Sequence, residues 1–222
     1  HTAFHQLHSD HGLANMKTYL QLNSSLHGAE SQSSRLARQF IETLVRTDRS
    51  ADMSAASARV VVRDLANQPL PHLTAERFTA FVTAPEQRTA DQARIVAESD
   101  ALVAELAAAD VIVIGLPMYN FGVPSTLKAY FDHIARAGVT FRYTANGPEG
   151  LLRGKRAFVI ATRGGRHAGT PSDLQSAYVR QFLGFIGITD VEFIYAEGLA
   201  MGEDSRTAAI VEAGKRIEQL AA

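Results

Sequence analysis

The sequence predicts an α/β protein: a doubly wound, five-stranded parallel sheet with helices on both faces. Three observations carry that prediction. The run VIVIG at 111–115 is unbroken, apolar and rich in β-branched residues, the pattern of a strand buried on both faces in a parallel sheet. Strand patterns alternate with helical periodicities along the chain in the order βαβαβαβαβα. Loops of unusual composition follow the first, third and fourth strands. The order 2-1-3-4-5 brings these three loops to one edge, outside the carboxyl ends of the strands, where open sheets of this kind bind ligands.

Residues 1–15 precede the first strand pattern and are expected to lie outside the fold, as an extension. They carry His1, His5, His8 and His11. Positions 1, 5 and 8 would share one helix face, but no carboxylate partner for them is obvious, and no metal site is expected. A single domain is expected over 16–222.

The segment KTYLQL at 17–22 alternates and reads as the first strand. A loop rich in hydroxyls follows, and from Ser34 onward Leu36, Phe40, Ile41, Leu44 and Val45 recur at helical spacing. A helix N-terminus offers unpaired N–H groups and partial positive charge, which suits a phosphate. Ser25, Ser31 and Ser33 can add hydroxyls. The loop has neither GxxxxGK[ST] nor GxGxxG, so it is not a nucleoside-triphosphate loop or a standard dinucleotide fingerprint. A neutral, serine-lined pocket suits one monoester phosphate. The plainer alternative is that Ser31 or Ser33 only caps the helix.

Residues 58–65 read as the second strand, and residues 67–73, with Pro69 and Pro71, as a loop. Helices are predicted over 74–82 and 88–107, the second with an apolar stripe of Ile95, Leu102, Val103 and Leu106. After the central strand come Pro117, Met118, Tyr119, Asn120 and Phe121, the turn where chemistry is expected. Pro124 opens the next helix. Its buried stripe is Leu127, Tyr130, Phe131, Ile134 and Ala135; Lys128 and Asp132 form a structural pair on another face, and His133 is read as surface. Residues 139–150, with an Asn146-Gly147 turn signal, read as a strand or hairpin free to project over the ligand site. The fourth core strand, AFVIA at 157–161, ends in Thr162, Arg163, Gly164, Gly165, Arg166 and His167. Paired glycines there let the backbone approach a flat ligand closely, unless they form an ordinary turn. A helix over 173–185, a strand over 191–196 and a closing helix over 205–222 complete the pattern.

Composition narrows the function. The 222 residues carry 22 Lys+Arg against 23 Asp+Glu, a net charge of −1 that gives no electrostatic case for nucleic acid or an anionic membrane. There are no cysteines, which excludes disulfides, thiolate catalysis and zinc–cysteine sites. No apolar run approaches the about 20 residues that span a bilayer, so a cytoplasmic protein is expected. A serine loop for one phosphate, with two turns presenting backbone to a flat ring, describes FMN.

At these residues the chain resembles the FMN-dependent NADH-azoreductase family of flavodoxin-like quinone reductases. The resemblance runs from Lys17 to the C-terminus and is most specific at SQSSRLA (31–37), PMYNFGVPSTLKAYFDHIARAGVTFRYTANGPEGL (117–151), TRGGRH (162–167) and FLGFIGITDVEFIYAEGLA (182–200). It implies FMN phosphate binding by Ser25 and the Ser31, Gln32, Ser33 segment. It implies ring contacts from Met118, Tyr119, Asn120 and Phe121 and from Thr162, Arg163, Gly164 and Gly165. It also implies a homodimer with active sites at the interface. Thr162 stands where the family often has Ser, and keeps the hydroxyl; Pro124 and the residues around His167 also vary.

The expected activity is ping-pong, two-electron reduction of quinones and aromatic azo compounds by NADH or NADPH, with the cofactor carrying the chemistry and no protein nucleophile. Tyr143 and His167 are candidate contacts for the oxidant or a proton, and Arg163 or Arg166 for a 2′-phosphate. Three alternatives stand beside it. An electron carrier needs a charged docking face. A redox sensor would hold flavin without turnover. A hydrolase of phosphopantetheine-type esters lacks a G-x-S-x-G elbow here.

Overall fold

The computed structural model describes residues 16–51 and 58–222. Its strands are β1 (Thr18–Asn23), β2 (Arg59–Asp64), β3 (Val111–Pro117), β4 (Phe141–Thr144), β5 (Gly147–Gly150), β6 (Arg156–Thr162) and β7 (Asp190–Ala196). The helices are α1 (Gln32–Ala51), α2 (Ala75–Val82), α3 (Ala90–Ala108), α4 (Ser125–Ile134), α5 (Leu174–Phe185) and α6 (Glu203–Ala221). Five strands pair in parallel in the order β2-β1-β3-β6-β7, while β4 and β5 pair with each other as an antiparallel hairpin. With the hairpin set aside, this is the expected 2-1-3-4-5 order.

All seven residues of β3 are buried, and they divide by parity. Ile112, Ile114 and Leu116 enter one core with Leu102 and Leu106 of α3, Leu127 and Phe131 of α4, and Val179 and Leu183 of α5. Val111 and Val113 enter the other with Leu36, Phe40 and Ile41 of α1 and Ala213 and Ile217 of α6. A strand that must be apolar on both parities cannot alternate, which is why VIVIG reads as continuous.

In β1 the alternating pattern misleads. All six of its residues are buried, because helices cover both faces. Gln21 is kept in this interior by donating from Nε2 to Asn23 Oδ1 at 2.8 Å and to the Ser34 carbonyl at 3.2 Å. At the sheet edge, Val60 and Val62 of β2 are exposed. α3 starts at Ala90, where Thr89 and Gln92 close a capping box, and Pro124 takes the N-cap of α4.

His133 is fully buried, not at the surface as expected. α2 covers it: the Phe81 ring meets it edge-on at 6.2 Å, and Arg77 Nη1 lies 3.4 Å from its Nε2. Its Nδ1 lies 2.8 Å from the Ala129 carbonyl one turn back. The Lys128–Asp132 pair forms as expected, at 2.5 Å.

The hairpin is pinned at the amino end of the sheet. Phe141 packs on Phe185 at 4.2 Å between ring centroids, and the Leu152 N–H donates to the Ile186 carbonyl at 2.9 Å. A Cβ on Gly150 would land on the backbone of Gly187, so the hairpin and the end of α5 touch main chain to main chain.

Candidate functional site

The loops after β1, β3, β6 and β7 meet at the carboxyl edge of the sheet. Register sets this: Asn23 pairs with Gly115, Pro117 with Thr162, and Thr162 with Ala196. Ser25 Oγ lies 3.1 Å from the Tyr119 hydroxyl, joining the first loop to the second. The Met118 N–H donates to the Thr162 carbonyl at 3.0 Å, joining the second to the third.

The first loop surrounds the start of α1. Ser24 Oγ donates to the Gly115 carbonyl at 2.6 Å. Ser31 is the cap: its Oγ accepts from the Ser34 N–H at 3.2 Å and donates to Ser34 Oγ at 2.8 Å, which donates onward to the Gly28 carbonyl. Ser33 is buried, with its Oγ 3.2 Å from Ser31 Oγ. The capping reading of Ser31 therefore holds, and it coexists with an anion-binding geometry. The N–H groups of Gln32 and Ser33 have no acceptor among the described residues, and the first turn of α1 carries no acidic side chain. Gly115 makes the close approach possible, since a Cβ there would sit 3.3 Å from the Ser33 carbonyl group.

The second loop is a two-residue hairpin. Tyr119 and Gly122 exchange both backbone hydrogen bonds, at 3.3 and 3.0 Å. Between them Asn120 and Phe121 both have positive φ, 51° and 63°. Such a turn ordinarily uses Asn-Gly, and a bulky residue there is strained. The N–H groups of Met118 and Tyr119 are engaged within the fold. Those of Asn120 and Phe121 have no acceptor among the described residues, so any ring-facing donor comes from these two.

The third loop is held from behind. The Arg163 guanidinium is fully buried, donating to Asp173 at 2.7 Å, Glu197 at 3.0 Å and Ser176 Oγ at 3.1 Å. Burial pushes the Asp173 carboxyl up, but the hydrogen bonds from Arg163 and from the Ser176 backbone and hydroxyl outweigh it and hold it below the usual carboxylate range. The carbonyls of Arg163, Gly164 and Gly165 accept from Leu199, Ala200 and Gly198 in the β7 loop. The N–H groups of Gly164 and Gly165 have no acceptor among the described residues. A Cβ on Gly165 would lie 2.9 Å from His167 Nε2, so a side chain there would displace the His167 ring.

The sequence-predicted residues divide accordingly. Ser25, Ser31, Gln32, Ser33, Pro117, Met118, Tyr119, Asn120, Phe121, Thr162, Gly164 and Gly165 come together at one edge. His167 joins them at the rim, its ring 5.8 Å from that of Phe121 and its Nδ1 2.8 Å from Ser172 Oγ. Arg163 joins through its backbone only; its side chain is an internal strut and cannot reach a 2′-phosphate, which leaves exposed Arg166. Tyr143 does not join within one chain. It sits on the hairpin at the opposite end of the sheet, 76% exposed, across a seven-residue strand about 20 Å long. Sequence reasoning missed Ser34, Asp173, Gln175 and Glu197. Gln175 had a signal, a lone amide on the face of α5 that also carries Val179 and Phe182.

The described residues contain no group of acidic, His or Cys side chains able to hold a metal, and the histidines of 1–15 lie outside them. Among the described residues no helix is long and apolar enough to cross a membrane.

A carboxyl-edge site of hydroxyls and bare backbone on this sheet order defines a flavodoxin-type α/β protein. The model of the flavodoxin-like fold family matches residues 17–221, and the chain belongs to that family, in its branch of quinone reductases and azoreductases. It is 55% identical over 202 residues to FMN-dependent NADH:quinone oxidoreductase 6 of Burkholderia lata, covering 91% of this chain and 98% of that one. It is 51% identical over 204 residues to the FMN-dependent NADH:quinone oxidoreductase of Cellvibrio japonicus, covering 92% and 98%. Among solved structures it is similar to an FMN-dependent NADH-azoreductase from Bacillus anthracis in complex with FMN, with TM-score 0.79 and 25% identity over 93% of this chain and 98% of that one.

Proposed function

We propose that this protein is an FMN-dependent NADH:quinone oxidoreductase that also reduces aromatic azo compounds. The observation that carries the reading is the joining of three loops at one edge through Ser25–Tyr119 and Met118–Thr162. Its relatives' activities, as their names give them, agree with it.

Bound FMN supplies the two-electron chemistry between a nicotinamide and a quinone. The protein's part is to hold and orient. The N-terminus of α1 and the hydroxyls of Ser25 and Ser33 would hold the phosphate. The N–H groups of Asn120, Phe121, Gly164 and Gly165, left without acceptors among the described residues, would serve the ring. Phe121, 55% exposed, and His167 form the rim over which donor and acceptor stack in turn. His167 is the group at hand to deliver a proton to the oxidant. The reading includes a cytoplasmic homodimer, and Tyr143 can take part only if a second copy presents its hairpin.

Initial rates at several fixed quinone concentrations are expected to give parallel double-reciprocal lines against NADH; intersecting lines overturn the ping-pong mechanism. Ser25→Ala is expected to weaken FMN retention while the loaded enzyme turns over. Outright loss of activity in fully loaded S25A would point to a serine nucleophile instead.

A further inference from the structure

The β3 turn has its strained shape held from another element. Gln175, in the first turn of α5, is almost fully buried. Its Nε2 donates to the Pro117 carbonyl at 2.9 Å and to the Gly122 carbonyl at 2.8 Å. These two carbonyls bracket Met118, Tyr119, Asn120 and Phe121. Both only accept, so the amide nitrogen must face them, which fixes the orientation of the side chain. Its Oε1 is buried with no hydrogen-bond partner among the described residues. An amide placed for its own solvation would not leave that atom bare, so the placement serves the two donors. The same turn of α5 grips the neighbouring loop, because Asp173 and Ser176 both receive the Arg163 guanidinium.

The geometry points to Gln175 as a positioning residue of the flavin site: its two donors hold the Asn120–Phe121 turn in its positive-φ shape before the cofactor arrives. This rests on the flavin reading given above. Two non-glycine residues at positive φ relax when their bracket is cut. A relaxed turn must be re-formed on binding, which lowers affinity without removing any direct contact.

The test compares wild type with Gln175→Met, which keeps the length and loses the donors, and with Ser99→Ala. Ser99 is buried at the α3–α4 contact, bonded to the His133 carbonyl, and serves as a remote control. In Q175M, the FMN Kd is expected to rise about tenfold, the effect of losing about one to two net hydrogen bonds. The flavin midpoint potential is expected to shift with it. S99A is expected to lower the thermal midpoint and move neither. Should Q175M fail to fold, Gln175→Glu takes its place: its carboxyl donates one bond only when protonated, so its FMN affinity relative to wild type should recover as the pH is lowered. A folded Q175M with unchanged FMN Kd and potential overturns the proposal, as does a Q175E whose affinity ignores pH. If wild type binds no FMN, the parent reading fails instead. The clamp is then read alone from amide exchange at Tyr119 and Gly122, whose N–H groups bond across the turn, which Q175M should accelerate and which, unchanged, would refute it.

Discussion

Two turns flank the same site and are built in opposite ways. The turn after β6 is glycine, free of steric strain, and is anchored by buried ions: Arg163 against Asp173 and Glu197. The turn after β3 has no glycine at its two positive-φ positions and is anchored by neutral hydrogen bonds from Gln175. The difference separates two ways of presenting bare N–H groups to a ligand. One removes the side chain and fixes the loop electrostatically. The other keeps a large side chain, Phe121, at the rim and forces the backbone beneath it. Both anchors draw on the start of α5, the ionic one through Asp173 and Ser176 and the neutral one through Gln175, so one helix start ties the two turns together.

Cutting the ionic anchor should have the largest effect. Arg163→Met leaves two carboxylates facing each other in a buried place, and is expected to lower stability by about 3–5 kcal/mol in urea denaturation. A loss comparable to that of an exposed pair would mean the strut is solvated and the contrast unfounded. A smaller effect of opposite sign is expected on the other side. Phe121→Gly removes the left-handed penalty while giving up little burial, and should raise the stability of the FMN-free protein by about 1 kcal/mol, after the entropy glycine adds to the unfolded chain. It should at the same time weaken FMN binding; a destabilised F121G would show that the turn is not strained.

Acid should separate the turns most gently. The Asp173 carboxyl lies below its ordinary value of 3.8 in the folded protein. Its contribution is therefore complete above that value and is lost as pH falls through the lower, folded one. Amide signals of Gly164 and Gly165 are expected to shift in that range before those of Asn120 and Phe121, whose anchor does not titrate. Simultaneous movement would tie both turns to a common unfolding event.

This contrast also explains what the sequence revealed. The sheet order was legible because VIVIG and AFVIA can only be strands covered on both faces. The β6 turn was legible because glycine pairs announce bare backbone. The serine loop was legible as a helix entry, but its division of labour was not: whether Ser31 caps or binds depends on where Ser34 points. The β3 turn was placed correctly, yet its shape was hidden, since nothing in Met-Tyr-Asn-Phe signals two left-handed residues in a row. The inward course of the Arg163 side chain was not legible, because its partners Asp173 and Glu197 are 10 and 34 residues away. Tyr143 is a candidate contact in sequence because a hairpin is free to project anywhere; the Phe141–Phe185 and Gly150–Gly187 contacts put it at the far end of the sheet of its own chain. His133 looked like surface until α2, from an earlier segment, covered it.

The central claim is that the three loops form one flavin site serving a nicotinamide and a quinone. It is tested most directly by loading the purified protein with FMN and recording its visible spectrum on anaerobic addition of NADH. A yellow protein that bleaches with one equivalent of NADH, and regains its colour with one equivalent of quinone, is the predicted result. A protein that stays colourless after incubation with FMN, or a yellow one that NADH does not bleach, would contradict it.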